Sequence, residues 1–187
     1  MKGILFGGIF HSVLALSFGF SSYSAMALDS KNFKKRPKVI YGQDDRMEAY
    51  QVSAPGLVTA MNATVAMIPT ANLTLKENLF EISQSTLGES MELCKEEPFY
   101  NQPTAANCTG FLVGPDLVAT AGHCVNEFNC SFQSFVFNYR MQDQNVPPTN
   151  LAQNDVYSCK EVVARGYSRN QDYALVRLDR TVVDREP

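Results

Sequence analysis

One stretch of the 187-residue chain concentrates groups able to do chemistry: Cys108-Thr-Gly-Phe-Leu-Val-Gly-Pro-Asp-Leu-Val-Ala-Thr-Ala-Gly-His-Cys124. It holds His123. The only other histidine, His11, lies in an apolar N-terminal segment. Imidazole titrates near neutral pH and can accept and return a proton, as a general base must. A lone histidine is more often structural, so its setting decides. Ala121 and Gly122 are small and let the backbone approach closely, which would hold the ring in one place. Cys124 falls sixteen residues after Cys108, so a disulfide could tie the histidine turn to the opposing strand. A different reading is a metal site of Cys108, His123, Cys124 and Cys130. The spacing is not a standard zinc pattern, and exported cysteines oxidise rather than remain thiolates. No metal and no cofactor is expected.

The stretch resembles the histidine motif of trypsin/chymotrypsin-like serine endopeptidases, a cysteine, a Gly-Ser-Leu-Ile-like strand and then Thr-Ala-(Ala/Gly)-His-Cys. The counterparts are Cys108-Thr-Gly-Phe-Leu-Val113 and Thr120-Ala-Gly-His-Cys124. The resemblance implies a Cys108–Cys124 disulfide and a triad aspartate followed by an apolar residue and Ala-Leu. Asp172-Tyr-Ala-Leu-Val-Arg-Leu178 fits, forty-nine residues after His123. In such enzymes the aspartate is buried, accepts a hydrogen bond from the second ring nitrogen and fixes the tautomer. Asp155, Asp179 and Asp184 lack the Ala-Leu context and are expected at the surface. Val39-Ile-Tyr-Gly-Gln-Asp-Asp-Arg46 and Ala63-Thr-Val-Ala-Met67 further resemble bacterial glutamyl endopeptidase-like members. By that resemblance, cleavage after Lys38 would make Val39 the mature N-terminus.

The elements that must position these residues read as short strands. Candidates are Ala63–Ile68, Thr109–Val113, Asp116–Thr120, Phe132–Tyr139, Val156–Ala164 and Tyr173–Leu178, rich in Val, Phe, Tyr and Leu. Gly114-Pro115-Asp116 reads as a tight turn and Val146–Asn150 as a loop. Weak helical stretches are expected near Leu75–Ile82 and after His123. Strands and turns of this spacing suggest an all-β sandwich or barrel. The resemblance narrows this to the N-terminal antiparallel β-barrel of a chymotrypsin-like two-barrel fold, within a peptidase domain at 39–187.

Charge and the N-terminus place the molecule. Residues 39–187 hold ten basic and eighteen acidic side chains, a net of −8, which argues against a nucleic-acid partner. Lys2, an apolar run from Ile4 to Phe20 and Ala25-Met-Ala27 form a signal peptide cleaved after Ala27. Residues 28–38 are a basic leader or propeptide. The protein is therefore expected to be secreted or periplasmic, with no membrane association after signal removal. Its expected partner is a protein or peptide substrate, and its oligomeric state is open. Asn62, Asn72, Asn107 and Asn129 head Asn-x-Ser/Thr sequons, which matter only in a eukaryotic secretory pathway.

Triad order in this fold is histidine, aspartate, serine, yet none of the fifteen residues after Asp172 is serine. Gly88-Glu89-Ser90 precedes the histidine, lacks a following glycine and reads as a loop. The nucleophile, the oxyanion hole and the substrate pocket are thus expected to be missing, which makes these residues inactive alone and exposes a face meant for a second barrel. A protease homologue without activity that acts as a peptide- or protein-binding module is the alternative. Of five cysteines, Cys94, Cys130 and Cys159 stay unassigned, and an odd number leaves one free or paired elsewhere.

Overall fold

The computed structural model describes residues 44–187. The signal peptide, the basic leader and Val39 lie outside the described residues. Residues 45–187 form one unit. Its strands are β1 (Thr64–Pro69), β2 (Leu73–Lys76), β3 (Leu79–Ile82), β4 (Ser85–Thr86), β5 (Pro103–Thr104), β6 (Cys108–Gly114), β7 (Leu117–Thr120), β8 (Gln133–Val136), β9 (Asn150–Ala152), β10 (Val156–Ser168) and β11 (Gln171–Leu178). The α-helices are α1 (Pro55–Ala63) and α2 (Leu87–Ser90).

Six strands close an antiparallel barrel in the order β1-β6-β7-β11-β10-β8, with β8 returning to pair with β1. The all-β expectation holds, and the barrel strands are the six expected from the sequence. Strand β6 shows why. Gly110, Leu112 and Gly114 are buried while Thr109, Phe111 and Val113 are exposed, the alternation of a strand with one wet face. The barrel interior is filled by Val65, Met67, Leu112, Val118, Phe135, Phe137, Tyr157, Ala174, Val176 and Leu178.

Strand β8 departs from alternation, because all four of its residues are buried. Phe135 faces the interior, whereas Val136 joins Ile68, Leu151 and Val156 in a second apolar cluster. A small sheet of order β2-β3-β9 supplies Leu73, Phe80 and Ile82 to that cluster.

This sheet corrects one expectation. Leu75–Ile82 is a hairpin, not a weak helix, with Lys76 paired to Leu79 across the turn at Glu77 and Asn78. Glu77 takes a φ of 53°, the left-handed geometry a two-residue hairpin turn uses. No α-helix follows His123 either. Asn126 and Asn129 turn the chain there by accepting backbone N–H groups of Phe128, Asn129 and Asn126 at 2.7–3.1 Å, before a single 3-10 turn at Cys130–Phe132. Gly88-Glu89-Ser90, expected as a loop, belongs to α2.

Both disulfides act on the elements around the histidine. Cys108–Cys124 joins the start of β6 to the histidine turn. Cys130–Cys159 joins the following turn to β10 and assigns two of the three open cysteines. Cys94 is exposed and unpaired.

Candidate active site

Strand β7 delivers the chain to the site. Thr120, its last residue, is buried, pairs with Ala174 of β11 and donates its hydroxyl to the Thr109 carbonyl at 2.8 Å. The chain then turns through Ala121–Cys124, closed by the Cys124 N–H donating to the Ala121 carbonyl at 3.1 Å. Gly122 is obligatory in this turn. A Cβ there would lie 2.4 Å from the Gly166 carbonyl oxygen and 2.8 Å from that of Tyr173, both backbone atoms that no side-chain rotation can clear.

Strands β10 and β11 form the hairpin that carries the aspartate. Asp172 lies opposite Tyr167, two residues beyond the last pair with β7. Its carboxylate makes two bonds to one residue. Oδ1 accepts the backbone N–H of His123 at 2.9 Å, and Oδ2 lies 2.8 Å from Nδ1 of the ring. An ionised carboxylate only accepts hydrogen bonds, so Nδ1 carries the proton and Nε2 keeps its lone pair in the neutral ring. Among the described residues, Nε2 has no hydrogen-bond partner. The side-chain bond from His123 does most to hold the Asp172 carboxyl below the usual carboxylate range. Partial desolvation opposes it, and the backbone N–H groups of His123 and Gly122 add to it.

Asp172 is not buried, as the family pattern would have it. Its side chain is 46% exposed and that of His123 55%. A hydrogen-bonded pair this wet adds little stability; its consequence is orientation of the ring. The depressed carboxyl still has a pH signature. A carboxylate with a lowered folded-state pKa contributes stability above its unfolded value, about 4, and loses that contribution as pH falls through the folded value. The stability difference between the parent and Asp172→Asn should therefore shrink below about pH 4 in urea melts. A difference unchanged down to pH 3 would contradict this.

Other expected acids resolve differently. Asp179 and Asp184 are exposed. The Asp155 side chain is only 18% exposed and pairs with Arg185 and with the Asn138 amide, so it is a structural anchor rather than a surface group. The Ser90 hydroxyl is bonded to that of Ser85 at 2.5 Å. Donor atoms of Cys108, His123 and Cys124 lie within 4.8 Å of one another. Cys108, Cys124 and Cys130 are all in disulfides, however, and a disulfide sulfur is not a thiolate ligand.

Sequence reasoning missed Arg165. Its Nε donates to the Gly122 carbonyl at 2.7 Å, and its guanidinium lies 5.1 Å over the Tyr167 ring. No local pattern marks it, because its partner is forty-three residues away.

A closed antiparallel barrel with a histidine in the turn after β7 and an aspartate on the adjacent strand β11 is consistent with a barrel of the chymotrypsin-like class. Residues 96–185 match the family model of trypsin, a segment that holds His123, Asp172 and both disulfides. The match supports the trypsin/chymotrypsin-like family and, with it, peptidase chemistry on protein or peptide substrates. Among curated proteins, none matches the chain. Among the described residues, no helix is long and apolar enough to cross a membrane.

Proposed function

We propose that this chain carries the base and its orienting carboxylate for a secreted serine endopeptidase. The observation that supports this most is the pair of bonds from one Asp172 carboxylate to the backbone and ring of His123. In this reading His123 Nε2 takes the proton from an attacking serine hydroxyl and returns it to the leaving amine. Asp172 fixes the tautomer and stabilises the imidazolium. Residues 1–187 do not supply the nucleophile in this reading, since none of residues 173–187 is serine and Ser90, in α2, is bonded to Ser85. In such enzymes the oxyanion-hole donors accompany the nucleophilic serine, and losing even one donor costs about a hundred- to a thousandfold in rate.

Residues 1–27 direct export, two disulfides agree with an oxidising compartment, and residues 28–38 are removed to free Val39. The branch is the bacterial glutamyl endopeptidase-like one.

The test uses the 187-residue chain recovered from secretion. It should hydrolyse no protein substrate above the buffer rate. N-terminal sequencing should find Leu28 before activation and Val39 after it. Hydrolysis blocked by an organophosphonate would refute the absence of a nucleophile, and a start elsewhere would refute the processing scheme.

A further inference from the structure

We propose that Arg165 is a positioning residue for His123, clamping with Asp172 the two polar groups of the Gly122–His123 peptide. This rests on the reading of His123 as the base. The N–H of that peptide donates to Asp172 at 2.9 Å, and its carbonyl accepts from Arg165 Nε at 2.7 Å. An anion therefore holds one edge of the peptide plane and a cation the other. Both bonds involve a charged side chain, the stronger kind. The two residues come from the paired strands of one hairpin, Arg165 facing Ala174 and Asp172 facing Tyr167.

The clamp answers a problem the fold creates. Only glycine fits at position 122, because Gly166 and Tyr173 approach to within 2.4–3.1 Å of where a Cβ would be. Glycine also frees the backbone to rotate just before the histidine. Rotation of this peptide would break both bonds and turn the carbonyl toward the carboxylate. The Arg165 side chain is itself held in place, since its guanidinium lies over the Tyr167 ring, whose centroid is 6.5 Å from that of His123. Among the described residues, no carboxylate lies within ion-pair distance of Arg165.

Hydrogen exchange of the full chain tests this at the His123 amide. Arg165→Met should speed exchange there about ten- to a hundredfold, the range for a lost hydrogen bond to a charged group. Amides of the β7–β11 ladder should not change. Arg165→Lys, which keeps a cation without the planar fork, should fall between the parent and the methionine variant. An unchanged His123 amide, or one that rises in step with the ladder, would overturn the proposal. If Arg165→Met does not fold, the lysine variant carries the same comparison: a rise confined to His123 supports it and a parallel rise overturns it. The readout needs no hydrolysis, so a failure of the peptidase reading would show in the secretion and inhibitor assays and not here.

Discussion

Reducing both disulfides should lower the stability of the protein by about 6–7 kcal/mol. Cys108–Cys124 closes a loop across sixteen residues and Cys130–Cys159 one across twenty-nine. The chain-entropy model assigns the first about 3 kcal/mol and the second about 3.6 kcal/mol. The two loops are neither nested nor overlapping, so each restricts a different part of the unfolded chain and the contributions add. Domains are typically stable by about 5–15 kcal/mol, so losing both would remove roughly half or all of the total. Tryptophan is absent, so far-UV circular dichroism is the convenient probe of a urea melt with and without reductant. Cys108→Ala/Cys124→Ala should lower stability by about 3 kcal/mol and Cys130→Ala/Cys159→Ala by about 3.6 kcal/mol. A reduced protein that melted at the parent's urea midpoint would contradict the stabilising role of both disulfides.

Phe135→Ala should cost about 3–5 kcal/mol, the range for emptying an aromatic site in a packed core. Phe135 is fully buried on β8, opposite Met67 of β1 and Tyr157 of β10, where the barrel closes. A cavity there loosens both neighbouring strands at once. Phe111→Ala is the matched control. Phe111 is 55% exposed on the outer face of β6, and its loss should change stability by no more than about 0.5 kcal/mol. Equal losses from the two substitutions would mean that the interior is not where the structure places it.

Much of this was legible in the sequence where a local pattern coincided with a tertiary need. The barrel strands announced themselves through alternation, as Leu112 and Val118 point inward while Phe111 and Ala119 do not. His123 and Asp172 were legible because neighbouring residues mark them: small residues before the histidine, Ala-Leu after the aspartate. The β2–β3 hairpin was not. Leu75, Leu79 and Ile82 sit at helical spacing, yet Leu75 and Leu79 are exposed. Leu73, Phe80 and Ile82 reach the core instead, and only the outer face of β8 decides between the two. The Cys130–Cys159 pair was hidden because three unassigned cysteines allow three pairings. The exposure of Asp172 depends on what stands beside the hairpin, which no local pattern records.

The register of the barrel also sets an order of events. Cys108 and Cys124 lie close in sequence, so their encounter needs only a short loop. His123 and Asp172 are forty-nine residues apart, and the seam between Met67 and Phe135 is longer still. Loop-closure entropy must be met before such distant contacts return any stability. The histidine turn can thus be stapled to β6 while the chain is still open, but its carboxylate arrives only when β11 docks beside β7. A chain caught before that docking has an oxidised, nearly complete turn and an imidazole with nothing to aim it. The tautomer of His123 is in this sense a reporter of β11 docking, set by a distant strand rather than at the turn where the residue resides.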